Sequence, residues 1–322
     1  MKVAIDATPL TVETGGIQRY TQQLQRALAG EFPTGRFELL APEPGHWWSI
    51  GLPIALKEGR FSLFHGTDFA VPYLRTVPAI MTLHDLSPWT PALNAETSNR
   101  VRRRTPWLLK LGRADFVITP TEAIRRAAIA HFGLGPHEIR AVPHGVDARF
   151  HPIESGPPQQ PYLLTVGTQG LRKNMKMAVA AAQTAGIELW IAGRGEWPSI
   201  TGVRNLGPVP DQALPGLYSH ATAFLFPSLY EGFGLPLLEA MACGAPVIAS
   251  QDPALIEVAG GVALHCPLDD PGLWVKAIGL AQTNRREIAV RGRARAAEFT
   301  WAKTARLTHE IYEEVLCRHL ER

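Results

Sequence analysis

The chain has 322 residues, of which 46% are hydrophobic and 19% are charged. This is enough apolar material for large cores, so wholesale disorder is excluded, and the length predicts two domains. The formal net charge of +3 is too small to predict nonspecific binding of nucleic acid.

Neither the start of the chain nor its cysteines indicate an exported protein. The opening segment MKVAIDATPL has no charged region followed by a long apolar stretch, so we expect no signal peptide. No run of about 18 apolar residues occurs, which argues against a transmembrane helix. The three cysteines, Cys243, Cys266 and Cys317, are too few for a disulfide framework and lack metal-ligand spacing. We therefore expect a cytoplasmic protein.

Strand-like apolar runs alternate with helical patterns along the first half of the chain. The predicted helices include Ile17–Leu28, Thr97–Leu111 and Glu122–Phe132. The predicted strands are Lys2–Asp6, Phe37–Ala41, Phe61–His65, Ala79–Leu83, Phe116–Thr119 and Ile139–Val142. This alternation predicts an α/β domain in which helices cover a parallel sheet.

The same pattern restarts after a proline-rich break at Ile153–Pro161, which predicts a linker. The predicted strands of this half are Tyr162–Val166, Ile187–Ala192, Ala223–Phe226, Pro246–Ala249 and Val262–His265. A long amphipathic helix from about Trp301 to Arg322 ends the chain. We therefore predict two similar domains, residues 1–152 and 162–302, joined by the linker at 153–161. Open α/β sheets bind ligands at the carboxyl ends of their strands, so an interdomain site is expected.

The segment Pro227–Gly244, PSLYEGFGLPLLEAMACG, follows a predicted strand and opens a helix. The backbone amides at such a helix start, next to flexible glycines, can bind phosphate. Glu231 precedes this helix, and Glu239 is predicted to lie in its first turn. Two carboxylates next to an anion site would repel phosphate unless they bind hydroxyls, as ribose and sugars offer. The alternative is an ordinary helix start with favourable acidic residues.

A second glycine-bearing turn, VGTQGLRKN at Val166–Asn174, follows the first strand of the second domain. Its adjacent cations Arg172 and Lys173 are suited to a diphosphate, because arginine provides forked donors and lysine a point charge. The alternative is a solvated basic turn. Gly193 and Gly195 do not continue into a dinucleotide-binding fingerprint, and no P-loop occurs.

In the first domain, Gly15 and Gly16 follow the first strand, where glycine lets the backbone approach a ligand closely. His84 follows the strand Ala79–Leu83 and can donate to a sugar hydroxyl or a phosphoryl oxygen, although a packed loop histidine is an equal alternative. His65, His144 and His220 are interpreted as structural. No HExxH pattern or clustered His/Asp set predicts a metal site.

The segment from Arg100 to Lys110 combines arginines with Trp107 and two leucines. A solvated helix face is the first interpretation. The alternative is a patch that contacts a membrane surface, since such patches combine basic and aromatic residues.

Together, these segments resemble the family-4 retaining glycosyltransferases. PSLYEGFGLPLLEAMACGAPVIAS resembles that family's E-x7-E signature, and VGTQGLRKN resembles its phosphate-binding Arg–Lys turn. ETGGIQRYT is similar to its N-terminal glycine loop and TLHDL to the segment with its sugar-contacting histidine. VPHGVDARFHP and AEFTWAKTA resemble the end of the first domain and the final helix. The resemblance extends over practically the whole chain.

The resemblance implies a GT-B fold, in which two Rossmann-like domains with parallel sheets face one another across a cleft. The first domain is then the acceptor side, with the final helix, about 303–322, packing back onto it. The second domain is the nucleotide-sugar donor side. The implied reaction is transfer of a sugar from a nucleotide-diphosphate sugar with retention at the anomeric carbon, and no metal or other cofactor is expected.

Roles for individual residues also follow from the resemblance. Glu239 would bind the nucleotide ribose, and Glu231 the hydroxyls of the transferred sugar, which His84 also contacts. The backbone near Val209 would face the base. The groups implied for the diphosphate are Arg172, Lys173, the amides of Phe233, Gly234 and Leu235, and the glycine loop at Gly15 and Gly16. The cations would stabilise the departing diphosphate, the role of Mg²⁺ elsewhere.

The GGIQRY and RKN segments favour a mannosyltransferase-like branch, with GDP-mannose as the donor. The chain is short for the family, so trimmed acceptor-side loops are expected. The acceptor is a glycan, a lipid-linked molecule or a small molecule, and a peripheral contact with the inner membrane face is an option. Two other functions stay open: a nucleotide-sugar epimerase or hydrolase, and a noncatalytic nucleotide-sugar binding protein.

Overall fold

The computed structural model describes residues 1–11, 15–43, 45–90, 93, 99–154, 160–195 and 199–321. These residues form two compact units. Unit 1 comprises Met1–Gly145 and Thr300–Arg322, and unit 2 comprises Val146–Phe299. Residues 13–14 of the glycine loop, 97–98 of a predicted helix and 155–159 of the predicted linker lie outside the described residues.

Unit 1 contains a sheet of six parallel strands in the order β2-β1-β3-β4-β5-β6. The central strand β1 pairs with both neighbours, so that Val3 lies between Phe37 and Leu63. Strands β3, β4 and β5 are buried throughout, which explains their largely apolar sequences. The strands are β1 (Lys2–Asp6), β2 (Arg36–Leu40), β3 (Leu63–Gly66), β4 (Ala79–Thr82), β5 (Phe116–Thr119) and β6 (Ile139–Ala141).

The α-helices described in unit 1 before residue 145 are α1 (Gly16–Glu31), α2 (Leu52–Glu58), α3 (Asn99–Lys110) and α4 (Glu122–Phe132). Helix α1 buries one face: Tyr20, Leu24 and Leu28, spaced four residues apart, are buried, together with Thr21. A π-helical turn at Trp47–Gly51 leads directly into α2.

Unit 2 also contains six parallel strands, in the order β12-β11-β10-β7-β8-β9. The strands are β7 (Tyr162–Val166), β8 (Glu188–Ala192), β9 (Val203–Gly207), β10 (Ala223–Phe226), β11 (Val247–Ser250) and β12 (Leu264–Cys266). The helices are α5 (Met175–Ala185), α6 (Leu214–His220), α7 (Leu235–Ala242), α8 (Pro253–Ala259), α9 (Pro271–Thr283) and α10 (Arg285–Ala297).

The last helix, α11 (Trp301–Leu320), packs within unit 1 against α1 and the sheet. Its buried side chains Trp301, Ile311 and Tyr312 belong to the same hydrophobic cluster as the α1 residues. At the rim, Arg306 forms an ion pair with Glu31 at 2.6 Å. The N-terminal strand and the C-terminal helix of the chain therefore share one core.

The predicted α/β class with parallel sheets is confirmed, with strand ends shifted by one or two residues. Strand β9 is not among the predicted strands. Its sequence VRNLG has no apolar run, because it lies at an edge of the sheet with Arg204 and Asn205 exposed. Its pairing with β8 is irregular between Ile191 and Ala192.

In each sheet the strand order reverses at one point. The reversal lies between β1 and β3 in unit 1 and between β7 and β10 in unit 2. Loops diverge at such a point and leave a crevice at the carboxyl ends of the two strands, where open α/β sheets bind ligands. These two edges are therefore the candidate ligand-binding regions of the two units.

Candidate functional site

In unit 2, two loops meet at the carboxyl ends of β7 and β10. After β7 the chain forms a 3₁₀ turn at Leu171–Lys173, and Asn174 then leads into α5 with a left-handed backbone, φ 45°. The loop after β10 is attached to this turn, because the Leu229 amide donates to the Arg172 carbonyl at 2.7 Å. The Arg–Lys turn and the segment with Glu231, 58 residues apart in sequence, therefore form one structure.

Lys173 and Glu231 form an ion pair at the centre of this structure. Lys173 Nζ donates to Glu231 Oε1 at 2.6 Å, and the two side chains are only 13% and 8% exposed. The ammonium also lies 4.9 Å from the centroid of the Phe226 ring. Burial alone would raise the pKa of Glu231, but Lys173 and Arg172 outweigh it and lower that pKa below its ordinary value. The carboxylate is therefore ionised at neutral pH.

The glycines after β7 and β8 bring two neighbouring loops into contact. A Cβ on Gly193 would lie 1.9 Å from the Gly167 carbonyl oxygen, so no side chain fits there. The Gln169 amide donates to the Arg194 carbonyl at 2.9 Å and extends this contact. The Gly193–Gly195 segment, which matches no phosphate-binding fingerprint, thus supports the loop that holds Arg172 and Lys173.

Helix α7 begins after Gly234, which has a φ of 92°. A Cβ there would lie 2.5 Å from Leu255 Cδ2, so both conformation and space require glycine. Amides in the first turn of a helix have no acceptor within the helix, and the helix dipole favours an anion beside them. The start of α7 can therefore bind an anion through the backbone around Phe233, Gly234 and Leu235.

Glu239 lies in the second turn of α7, as its fifth residue, which corrects the predicted first-turn position. The helix begins at Leu235, so Glu239 lies beyond its first turn, and the Glu239 side chain is buried. The buried Tyr218 of α6 donates its hydroxyl to Glu239 Oε2 at 3.1 Å. This hydrogen bond fixes the orientation of the carboxylate.

Asp252 connects the Glu231 loop to the start of α8. Its Oδ2 accepts from the Glu231 amide at 3.3 Å, while its Oδ1 caps α8 through the amides of Ala254 and Leu255. Tyr218 and Asp252 are the residues that sequence reasoning missed. The Asp–Pro pair before α8 signals a helix cap, but no local signal reveals that the same carboxylate reaches Glu231.

The apolar members of the predicted site belong to the core of unit 2. Phe233 is buried with its ring 5.9 Å from that of Phe299, while Val209 and Leu235 are half-buried against the same cluster. Their side chains stabilise the loops. Any contact of these three residues with a charged or polar ligand would therefore come from their backbones.

In unit 1, His84 lies at the end of β4 and is held in one tautomer. Its Nε2 donates to the Thr67 carbonyl at 2.7 Å, so Nε2 carries the proton. In the neutral ring Nδ1 can only accept, which corrects the predicted role of His84 as a donor to the ligand. Burial lowers the pKa of His84, which keeps the ring neutral. Its edge-on neighbour is Tyr20, at a centroid distance of 4.9 Å.

The predicted glycine loop is described only from Gly15 onward. Gly15 has a φ of 155°, and Gly16 is the first residue of α1. A Cβ at either position would meet no heavy atom of the described residues within 4 Å. The backbone conformation of Gly15, rather than packing, therefore favours glycine at that position.

A buried network of neutral groups lies beside His84. His65 bonds to the Tyr312 hydroxyl at 2.7 Å and to Thr82 Oγ1 at 2.8 Å, and Tyr20 reaches the same Thr82 at 3.1 Å. Burial lowers the pKa of His65 to about 3, so the ring stays uncharged. The interpretation of His65 as structural agrees with these contacts, which join β3 and β4 to α1 and α11.

Two acidic residues at this edge titrate abnormally. Burial raises the pKa of Asp6 and that of Asp68 to about 6 each, although Arg104 acts in the opposite direction on both. Asp6 Oδ1 accepts from the amide and the hydroxyl of Thr8, whereas Oδ2 has no hydrogen-bond partner among the described residues. Burial thus shifts the pKa of both the acidic and the imidazole side chains of this edge toward their uncharged forms.

Two features are absent from the described part of the chain. No group of three or more His, Cys, Asp and Glu side chains there could hold a metal ion. None of the helices described is both long and apolar enough to cross a membrane.

Family profiles match both halves of the chain. Residues 14–150 match the profile described as glycosyltransferase family 4, and residues 160–284 match that of group 1 glycosyl transferases. The O-antigen chain mannosyltransferase B of Escherichia coli is 31% identical over 309 residues, covering 86% of this chain and 79% of its own.

Solved structures show the same fold at low identity. Sucrose-phosphate synthase from Thermosynechococcus elongatus superimposes with a TM-score of 0.77 at 21% identity, covering 99% of this chain and 100% of its own. The Anabaena protein HepE in complex with UDP-glucose gives a TM-score of 0.75 at 15% identity, with coverages of 98% and 100%. The chain therefore belongs to the group 1 and family 4 glycosyltransferases, and its two six-stranded parallel sheets are those of the GT-B fold.

Proposed function

We propose that this protein transfers a hexose, with mannose favoured, from a nucleotide-diphosphate sugar to a hydroxyl of an acceptor, with retention at the anomeric carbon. The observation that carries the proposal is the buried Lys173–Glu231 ion pair at the strand-order reversal of unit 2. It combines a cation for the departing diphosphate with a carboxylate for sugar hydroxyls. Family membership supplies the reaction class.

The diphosphate is the substrate group that needs positive charge. Arg172 and Lys173 supply two adjacent cations, and the first turn of α7 supplies backbone amides. Fixed cations aimed at the leaving group stabilise charge that develops in the transition state. We therefore propose a reaction that needs no added metal ion.

The two glutamates have different surroundings and hence different roles. Glu239 is fixed within α7 by Tyr218 and is proposed to accept from the ribose hydroxyls, remote from the breaking bond. Glu231 pairs with Lys173 and is proposed to orient the transferred sugar as its ring flattens toward an oxocarbenium-like state. No covalent role is assigned to Glu231.

Roles in unit 1 rest on family membership together with the state of His84. Its Nδ1 is an acceptor, which suits a hydroxyl of the transferred sugar. Gly15 and Gly16 are proposed to contact the diphosphate, and the backbone near Val209 to face the base.

The donor and acceptor classes are also part of the proposal. The similarity to an O-antigen chain mannosyltransferase supports GDP-mannose as the donor and a glycan, free or lipid-linked, as the acceptor. A place in polysaccharide assembly follows from such an acceptor. The comparison with the UDP-glucose complex of HepE makes UDP-glucose the second donor to test.

The test is release of nucleoside diphosphate from a panel of GDP- and UDP-sugars, with and without mannose-terminated oligosaccharides. We expect acceptor-dependent release, a product of retained anomeric configuration by NMR, and full activity in excess EDTA. Lys173→Ala should abolish most of the release, whereas Lys176→Ala, an exposed lysine three residues on, should leave it unchanged.

Four results would contradict the proposal. Isomerisation of the sugar without an acceptor would indicate an epimerase, and release to water alone a hydrolase. Tight donor binding without turnover on any acceptor would indicate a noncatalytic binding protein. Activity lost in EDTA and restored by Mg²⁺ would overturn the metal-independent mechanism.

A further inference from the structure

Unit 1 carries an exposed apolar surface that the candidate site does not use. Single exposed apolar side chains are ordinary on proteins, but here five come from neighbouring segments and are 47–56% exposed. These five side chains, together with the basic residues of the same segments, are called the basic–apolar patch. The five side chains are Ile50, Ile54, Leu74, Trp107 and Leu111.

Three segments of the chain adjoin in this patch. The Tyr73 amide donates to the Trp48 carbonyl at 3.1 Å, which attaches the loop around Leu74 to the π-helical turn. The Tyr73 ring contacts Trp107 edge-on at a centroid distance of 6.2 Å. The Arg104 guanidinium lies 5.1 Å from the centroid of the Trp48 ring. The π-helical turn with α2, the loop and α3 thus form one surface.

Helix α3 turns its aromatic residue outward. Thr105 and Leu108 are fully buried, while Arg103, Trp107 and Lys110 are exposed at positions that share the opposite face. Pro106 has no amide hydrogen to donate to the Arg102 carbonyl, and Trp89 Nε1 donates to that carbonyl instead at 3.1 Å. An outward tryptophan between cations is the reverse of ordinary amphipathic packing.

The charge of these segments is strongly one-sided. Residues 47–60, 71–76 and 99–113 contain nine basic residues and one acidic residue, Glu58. The basic residues are Lys57, Arg60, Arg75, Arg100, Arg102, Arg103, Arg104, Lys110 and Arg113. One of them, Arg75, forms an ion pair with Asp115.

We propose that the basic–apolar patch binds the surface of an anionic lipid bilayer. Tryptophan and aliphatic side chains enter the headgroup boundary, while arginine and lysine pair with anionic headgroups. A symmetric dimer through the same patch would place like charges against each other, which disfavours a second copy of this chain as the occupant. The patch shares no residue with the donor site, so lipid binding and sugar transfer are separable.

The test is sedimentation of the full-length protein with vesicles of phosphatidylcholine alone, and with vesicles containing about a third phosphatidylglycerol. We expect binding only to the anionic vesicles, and release as ionic strength rises from about 0.1 M to about 1 M, which shortens the Debye length from about 10 Å to about 3 Å. R103Q/K110Q should weaken binding roughly 30-fold, at about 1 kcal/mol per cation. L74S/W107S should weaken it about tenfold or more, because the apolar anchor is lost.

Matched controls come from unit 2. Leu280 is 52% exposed and Arg286 is exposed, so L280S and R286Q remove similar groups elsewhere and should bind vesicles like the wild type. Unchanged thermal unfolding of the patch variants shows that they fold. Unchanged transfer to a water-soluble acceptor separates a failure of lipid binding from a failure of the proposed reaction.

Three outcomes would overturn the proposal. The first is absence of binding to anionic vesicles at low salt. The second is equal loss of binding in the patch variants and the unit 2 controls. The third is a stable dimer in solution that L74S/W107S dissociates, because the patch would then bind a second copy of the chain.

Discussion

Units 1 and 2 have sheets of the same strand number and direction, yet the side chains at their carboxyl edges differ in charge. In unit 2, Lys173 and Glu231 are held as ions, and the partner cation lowers the pKa of the buried carboxyl. In unit 1, burial lowers the pKa of His65 and His84, so both rings stay neutral. One fold thus supports two kinds of polar edge, according to whether a buried group has a counter-ion.

The difference suits the two edges to different chemical groups. Fixed charges favour a charged group such as a diphosphate, because the site does not have to reorganise around it. Neutral imidazoles and hydroxyls favour hydroxyl groups, with which they exchange hydrogen bonds. Substitutions that remove a charge from the unit 2 edge, or a buried acid from the unit 1 edge, therefore test whether the two edges differ in this way.

The largest expected effect is that of Lys173→Ala. The change removes a cation proposed to stabilise the leaving diphosphate and leaves Glu231 buried without its ion-pair partner. We expect kcat to fall by about 10²–10³, the scale of losing one preorganised electrostatic group. Steady-state kinetics would measure it, with Lys176→Ala as the control. Near-wild-type turnover would show that Lys173 does not act on the leaving diphosphate.

The second prediction separates the two glutamates of unit 2. Glu231→Ala should lower kcat by about 10², because its contacts strengthen as the sugar ring flattens. Glu239→Ala should mainly raise the donor KM, by roughly ten- to thirtyfold, because ribose contacts are similar in ground and transition states. Kinetics combined with donor calorimetry would distinguish the roles. Full kcat in Glu231→Ala, or reduced kcat with normal donor binding in Glu239→Ala, would contradict the assignment.

The third prediction concerns the stability of unit 1. Asp6 has a folded-state pKa of about 6 against an ordinary 3.8, so the folded state binds its proton more tightly. The contribution of Asp6 to the free energy of unfolding should therefore fall as pH rises from about 4 to 6 and stay reduced above that range. Asp6→Asn keeps an acceptor for Thr8 and should raise stability by about 3 kcal/mol at pH 8, the equivalent of this pKa shift. Urea unfolding at pH 4 and pH 8 would measure this, and an equal effect at both values would disprove it.

The smallest expected effect is that of Tyr218→Phe. It removes one hydrogen bond to Glu239 and leaves the buried ring in place. We expect the donor KM to rise about fivefold with kcat unchanged, which corresponds to about 1 kcal/mol, the typical value of one hydrogen bond. Tyr162→Phe, which removes a hydroxyl bonded to the Leu217 carbonyl, is the control and should leave the donor KM unchanged.

Much of the fold was predictable because buried parallel strands have unbroken apolar sequences. Strand β9 was not, since an irregular edge strand needs no such run. The π-helical turn at Trp47–Gly51 was not predicted either, because its fit depends on contacts with distant segments, such as that of Trp48 with Tyr73.

The candidate site shows the same limit. Arg172, Lys173 and Glu231 stand out because loops after parallel strands converge at one edge. The supporting contacts of Tyr218 and Asp252 cross 21 residues each and have no local pattern. The prediction placed Glu239 one turn too early. The start of α7 is set by the left-handed conformation of Gly234, which is a feature of the folded backbone.

Calorimetric titration with free GDP and UDP would show whether the charged edge of unit 2 binds the diphosphate. These ligands contain the diphosphate but no transferred sugar. We predict that Lys173→Ala weakens binding of the preferred nucleotide at least about tenfold, the loss of one charge-assisted hydrogen bond, whereas His84→Gln in unit 1 leaves it unchanged. Unchanged nucleotide affinity in Lys173→Ala, or a loss confined to His84→Gln, would show that the charged edge of unit 2 does not bind the diphosphate.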